Sequence, residues 1–319
     1  MNFTIAYIAE PIEIEDFDEP IELLDNTFIK KANYEQIRFY RGRFKEISRF
    51  RDVQVPYEFS FSIFQKSPNR TKYLREVIPF GQWRYWVIEN RSEPSGKAQK
   101  SLHDIELIFM LLRNPVHIAM EGAASKPDIP RIYSPIQNHI SRRFNTPDWI
   151  DRKIPKYSIS DMGECRDNLK RLRGLGPDYA FIKQALENFL QLNTIPQRHS
   201  LYFMGLFSII ESLIVRNPNK NDPISSITFQ LTQKTQLLQN RYIGDFSFES
   251  FFQKANPKTI WSNLYGFRSE IAHGKNIDES PHSSLKSNEN IEKFLRETIT
   301  NIILVGLNEP RLLSDLKNC

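Results

Sequence analysis

Hydrophobic and polar positions follow different rhythms in the two halves of the chain. Tyr57–Ile63 alternates apolar and polar residues strictly, the period of a strand with one buried face. Phe3–Ile8 and Trp83–Ile88 are rich in aromatic and β-branched residues and predict two further strands. From Ser101 the period becomes helical. Leu102, Ile105, Ile108, Phe109 and Leu112 share one face, with Ser101 placed to cap the start and Pro115 to end the element. Between residues 121 and 160 the pattern dissolves. Gly122, Pro127, Pro130, Pro135, Pro147 and Pro155 punctuate this stretch, which predicts a connector with one short helix near His139 and a domain boundary.

After residue 160 only helical signals remain. Asp178–Asn193 is amphipathic, with Phe181, Ala185, Phe189 and Leu192 on one side. Ser200–Arg216 is apolar almost all round, as befits a helix in the middle of a bundle. Asp222 and Pro223 supply an N-cap and a first-turn proline ahead of Ile224, Ile227, Leu231, Thr235 and Leu238. Thr259–Ala272 predicts a fourth helix, closed by Gly274 near the C′ position. Ser287 caps a fifth, whose stripe is Ile291, Phe294, Leu295, Thr298, Ile302 and Val305. No internal repeat is visible. The expected fold is an α+β domain over residues 1–160, its proline-rich connector included, followed by an all-α helical bundle over residues 161–319.

Composition narrows the function classes. The chain has 319 residues, 40% of them apolar and 25% charged, which is enough to bury a core and excludes wholesale disorder. Lys and Arg number 43 against 38 Asp and Glu, a net +5 that suits a nucleic-acid partner without requiring one. Cys165 and Cys319 stand far apart, which excludes a disulfide scaffold and a cysteine zinc site and fits a reducing compartment. Met1–Glu10 lacks the basic start of a signal peptide, and Arg113 and Glu211 interrupt the most apolar stretches. A soluble, cytoplasmic protein with no membrane partner is expected. Gly174-Leu175-Gly176-Pro177 begins like a dinucleotide loop, but Tyr179 stands where the third glycine belongs. Pro127-Asp128 with Asp151-Arg152-Lys153 loosely matches a metal-dependent nuclease pattern, without the strand that such chemistry needs.

Charge order adds a candidate surface. Eight acids lie between Glu10 and Asp25 with no Lys or Arg among them. Lys30, Lys31, Arg38, Arg41, Arg43, Lys45, Arg49 and Arg51 follow, interleaved with Tyr34, Phe39, Tyr40, Phe44 and Phe50. Cations with stacking rings are what single-stranded RNA binding uses, and Arg38, Arg41 and Arg43 are the candidate contacts. The same pattern serves equally for a solvated face whose rings turn into a core. On the RNA reading, the acidic stretch covers the basic one until something displaces it. Arg142, Arg143, Arg152, Lys153 and Lys156 form a second basic cluster that could guide RNA toward the bundle.

Five histidines (His103, His117, His139, His199 and His282) lie alone, without ligands at metal-binding spacing, so neither a metal nor a cofactor is expected. His273 is different. It ends the string Phe267-Arg268-Ser269-Glu270-Ile271-Ala272-His273-Gly274-Lys275. Ser269 and His273 are four apart and share a helical face, while the long Arg268 side chain can sweep toward them. Gly274 stops the helix and leaves the imidazole at a terminus. An imidazole moves protons near neutral pH, and a guanidinium forks onto phosphoryl oxygens. Together they cover the needs of RNA cleavage by the 2′-hydroxyl, which leaves a 2′,3′-cyclic phosphate and a 5′-hydroxyl. The plainer alternative is a histidine bonding the last carbonyls of its helix, with Arg268 ion-paired to Glu211 or Glu270. Glu211 sits within an apolar helix and needs a partner in any case.

The string Arg268-Ser269-Glu270-Ile271-Ala272-His273-Gly274 resembles the helix-end Arg-to-His motif of the HEPN ribonuclease superfamily, and most of all its Apea-like group. Phe207–Leu213 is similar to that group's apolar helix with an embedded glutamate. The resemblance covers residues 178–308. It implies a HEPN-type bundle and a homodimer, in which two motifs meet at a two-fold interface as one composite, metal-independent endoribonuclease site. Arg268 and His273 would be catalytic and Ser269 the polar neighbour. Independently of the resemblance, Glu211 and Glu270 are candidate supporting residues as ion-pair partners of Arg268. Lys275, just past the motif, is a further candidate RNA contact. The resemblance also implies an anti-phage effector or toxin that cleaves tRNA or other RNA. The alternative it carries is a non-catalytic module for dimerisation and RNA or nucleotide binding.

Overall fold

The computed structural model describes residues 3–9, 12–15, 19–49, 62–66, 73–77, 85–92, 96–124, 130–135, 154–197, 199–216, 226–241, 248–252, 256–274 and 283–319. The chain divides into two compact units, Met1–Lys170 and Arg171–Cys319. The first is built on an antiparallel sheet and the second is helical. Among the described residues no helix is long and apolar enough to cross a membrane.

The sheet of the first unit has six strands: β1 (Phe3–Ile8), β3 (Ile21–Leu24), β4 (Thr27–Lys31), β7 (Trp86–Asn90), β8 (Ile118–Ala124) and β9 (Pro130–Pro135), in the order β3-β4-β7-β1-β8-β9. Asn26 closes the β3–β4 hairpin at φ 58°, a left-handed conformation that asparagine tolerates better than most residues. β1 lies inside the sheet and is buried on both faces. Its Ile5 and Tyr7 meet Ile37 and Tyr40 of helix α1 (Tyr34–Arg49) in one core, with Tyr85, Val87 and Met120. Outside this sheet, β2 (Glu13–Ile14) pairs in parallel with β10 (Lys156–Tyr157), and β5 (Ser62–Lys66) pairs antiparallel with β6 (Tyr73–Val77).

Two expectations change here, and a third falls mostly outside the described residues. The strand expected at Tyr57–Ile63 is represented by Ser62 and Ile63 of β5, and residues 57–61 lie outside the described residues. Helix α2 (Gly96–Phe109) begins before Ser101, whose hydroxyl donates to the Lys97 carbonyl at 3.0 Å from within the helix rather than capping it. The connector reading is overturned for residues 121–124 and 130–135, which lie in β8 and β9. Gly122 and the alanines of β8 have weak strand propensity alone, but pairing on both sides, with β1 and β9, holds them extended. Pro130 and Pro135 lie at the two ends of edge strand β9, where the missing N–H is tolerated.

Helix α3 (Ile159–Gly174) crosses the division between the units. Ser158 opens it with a reciprocal cap: the Asp161 N–H donates to Ser158 Oγ at 3.1 Å, and the Ser158 N–H donates to Asp161 Oδ2 at 2.6 Å. The second unit continues with α4 (Ala180–Leu192), α5 (Ser200–Ile214), α6 (Ile227–Arg241), α7 (Glu249–Phe252), α8 (Pro257–Ala272), α9 (Asn288–Asn308) and α10 (Pro310–Asn318). The Asp222-Pro223 start expected for α6 lies outside the described residues. α5 buries Tyr202, Phe203, Leu206, Phe207, Ile210 and Leu213, which matches its nearly continuous apolar run. Ser287 caps α9 by accepting from the Asn290 N–H at 3.2 Å. Such faces exclude water by packing helix on helix, which is what holds α8 in register.

Candidate functional site

α8 carries the candidate residues. Asn256 caps its start by accepting from the Lys258 N–H at 2.9 Å, and Pro257 occupies the first turn. Ile260, Trp261, Leu264, Phe267 and Ile271 make its buried stripe, and Trp261 Nε1 donates to Thr235 Oγ1 of α6 at 2.9 Å. That stripe fixes the rotation of the helix, and so decides what its other residues face. At the far end the His273 N–H still bonds the Ser269 carbonyl at 3.0 Å, and Gly274 turns the chain away at φ 90°.

Arg268 falls on the flank of the buried stripe and is half-buried, whereas Ser269, Glu270 and His273 are exposed. Its Nε lies 3.1 Å from Glu211 Oε1 on α5. The buried Nε–H does not line up on that oxygen as a hydrogen bond, so charge rather than direction holds the pair. The Tyr265 hydroxyl donates to the same Oε1 at 3.2 Å, and the Arg268 guanidinium carbon stands 5.1 Å from the centre of the Tyr265 ring. Burial first, and the Glu211 carboxylate second, push the Tyr265 hydroxyl up to about 12. It therefore remains a donor throughout the neutral range.

The structure thus chooses Glu211 over Glu270 as the partner of Arg268. Glu270, two residues on, turns about 160° round the axis from Arg268. His273, five residues on, stands about 140° round and roughly 7.5 Å further along the axis. Ser269 and His273 do share a face. Among the described residues, the contacts of Arg268 run to Glu211 and Tyr265 and none to His273. One helix end therefore presents the guanidinium and the imidazole in different directions, and the expected sweep of Arg268 toward His273 is not seen. Tyr265 was missed by the sequence reading, although its spacing of three from Arg268 places ring and cation on one face.

A comparison with models of protein families, with curated proteins and with solved structures finds no match. The site has to be judged on its own chemistry. The C-terminal end of a helix repels anions, so a phosphate is drawn to α8 only by side-chain cations. Among the described residues no group of three or more His, Cys, Asp or Glu is arranged to hold a metal ion.

The remaining candidates are placed less favourably. On α1, Arg38 is exposed, but Phe39 packs against the core and Tyr40 is fully buried within it. The rings expected to stack on RNA at these two positions are core residues, because the helix turns them toward β1. Arg41 and Arg43 lie on α1 with side chains outside the described residues; Lys275, Arg142, Arg143, Arg152 and Lys153 lie outside them altogether. Lys156 is described, 3.2 Å from Glu15 and 3.9 Å from Glu13. Those two acids thus face the lysine of β10. A second polar group joins two helices of the bundle, α5 and α9: Arg296 Nη1 donates to the Tyr202 hydroxyl at 2.7 Å, which donates to Glu292 Oε1 at 3.1 Å. Its charges offset one another, and it reads as a clasp.

Proposed function

We propose that the chain is a metal-independent endoribonuclease of HEPN type, acting as a homodimer in defence or as a toxin. One observation carries the reading: Arg268, Ser269 and His273 reach the surface of a single helix end, and Arg268 is held beside a carboxylate rather than packed in hydrocarbon. The divergence of Arg268 and His273 around α8 supports a composite site. Two copies facing each other bring the imidazole of one to the guanidinium of the other, which a single end does poorly.

In this mechanism one His273 imidazole takes the proton of the RNA 2′-hydroxyl, whose oxygen attacks the adjacent phosphorus. The bond to the 5′-oxygen breaks, and that oxygen takes a proton from the second imidazole. Arg268 offsets the charge growing on the non-bridging oxygens, and Ser269, on the face of His273, helps to orient the phosphodiester. The products are a 2′,3′-cyclic phosphate and a 5′-hydroxyl.

The test is incubation of the protein with mixed tRNA in EDTA, beside His273→Ala. Fragments ending in cyclic phosphate, lost by a factor of about 10²–10⁴ in the variant, are expected. Fragments that persist unchanged in His273→Ala sink the proposal. One observation favours a second reading. Glu211 already offsets the charge of Arg268, as suits a module that binds RNA or nucleotides without turnover. RNA bound with no fragments, in dimeric protein, decides for that module.

A further inference from the structure

We propose that Tyr265 is a positioning residue, holding Arg268 so that the guanidinium edge remote from Nε meets the phosphate. The kinetic part of this proposal rests on the nuclease reading; the structural part does not.

The guanidinium has two edges able to fork onto an anion, one with Nε and one without it. Nε is buried beside Glu211, yet the Arg268 side chain as a whole keeps 27% exposure. Among the described residues no second carboxylate contacts Arg268, so the Nη1–Nη2 edge is left for two phosphoryl oxygens. A free arginine samples many rotamers, and ordering it on a substrate opposes binding. Tyr265 reduces that freedom in two ways. Its ring lies against the guanidinium at 5.1 Å, and its hydroxyl fixes at 3.2 Å the same Glu211 oxygen that draws Nε. Glu211 alone would follow the guanidinium as it moved; tied to Tyr265, it stays with α8. The register of the three groups is set by Leu264, Phe267 and Ile271, buried on the neighbouring face. The high proton affinity of the tyrosine keeps its donor in place at every pH where RNA cleavage of this kind would run.

The experiment measures cleavage of a fluorogenic RNA in EDTA by wild type, Tyr265→Phe, Tyr265→Leu, Arg268→Ala and the Tyr265→Leu/Arg268→Ala double variant. Losses of kcat of about 3–10-fold for Phe and about 30–100-fold for Leu are expected, with KM within about twofold. A residue acting through Arg268 is non-additive with it, so the double variant should match Arg268→Ala within about threefold. Additive losses overturn the proposal, because Tyr265 would then act independently. Thermal unfolding is followed in parallel, and Tyr265→Phe, which keeps the ring, guards against a variant that fails to fold. If wild type cleaves nothing, the nuclease reading falls, and the positioning claim is decided by NMR alone. The Arg268 Nε–H signal, identified by its loss in Arg268→Lys, should be displaced by the ring in wild type and lose that displacement in Tyr265→Leu. A signal unchanged in Tyr265→Leu overturns the proposal whatever the activity.

Discussion

Helix α1 and helix α8 both carry arginines and aromatic rings close together in sequence. In α1, Arg38 is followed directly by Phe39 and Tyr40; in α8, Tyr265 and Arg268 are three apart. In α1 the cation is exposed while Tyr40 stacks at 5.2 Å on Tyr7 and at 4.9 Å on Tyr85, deep in the sheet core. In α8 the ring and the guanidinium meet each other on the flank of the buried stripe. Successive helical residues lie about 100° apart, so a cation turned to water leaves its immediate neighbours to turn inward. Residues three apart share a side. Local density of cations and rings therefore does not define a nucleic-acid surface. Their phase relative to the buried stripe does.

The sharpest way to break this comparison is to remove the ring that α1 gives to the core. Tyr40→Ala should lower unfolding stability by about 3–5 kcal/mol, the usual cost of deleting a fully buried aromatic ring. Urea unfolding followed by near-ultraviolet dichroism reads it. Tyr265→Phe should leave the urea midpoint almost unchanged, because its ring is retained and its hydroxyl is only part-buried. A loss in Tyr265→Leu, which removes the ring, equal to that in Tyr40→Ala would dissolve the distinction between a core ring and a site ring.

Much of the helical unit was legible in the sequence because each stripe repeats at one period and ends in a recognisable residue. Ser287 capping α9, and Gly274 at φ 90° closing α8, are where spacing puts them. The reciprocal Ser158–Asp161 cap of α3 was equally visible but lay in a stretch dominated by prolines, which masked it. β8 was illegible for a different reason. Nothing in Gly122, Ala123 and Ala124 demands extension; the partners on either side impose it, and those partners are distant in sequence. At the site, the Arg268–Glu211 pair was among the alternatives because a carboxylate in an apolar helix needs a cation. The missing member was Tyr265, since a search made for titratable and cationic groups passes over a ring that serves as a floor.

A smaller effect sharpens the α1 side of the comparison. Three tyrosines stack in the first unit, and two of them have partners for their hydroxyls: Tyr40 and Tyr85 donate to the Ile8 carbonyl at 3.2 Å and 2.6 Å. The Tyr7 hydroxyl is buried and has no partner among the described residues. A buried hydroxyl left unpaired is destabilising by about 1–3 kcal/mol, so Tyr7→Phe should raise stability, by up to about 1 kcal/mol after the lost volume is counted. The same urea measurement reads it. A loss instead of a gain would mean that this hydroxyl is bonded, and that the stack is held by polar ties as well as by ring contact.

The smallest expected effect is the one that bears most on RNA. Arg38 is the exposed cation of α1, and its sequence neighbours have been turned into the core. Tyr34, four residues earlier on the same helical face, stays exposed, but Arg38 itself offers a phosphate a charge on a solvated face, where salt screens it. Arg38→Ala should therefore leave RNA affinity within about twofold and the slope of log affinity against log salt unchanged. Arg268→Ala should weaken binding at α8 by more, because its guanidinium is already ordered on Tyr265 and Glu211. A fall of about one in the salt slope for Arg38→Ala is the signature of one lost phosphate contact. That result would make α1 an RNA-facing helix through Arg38, and would separate the electrostatic part of the original pattern from Phe39 and Tyr40, which the core has claimed.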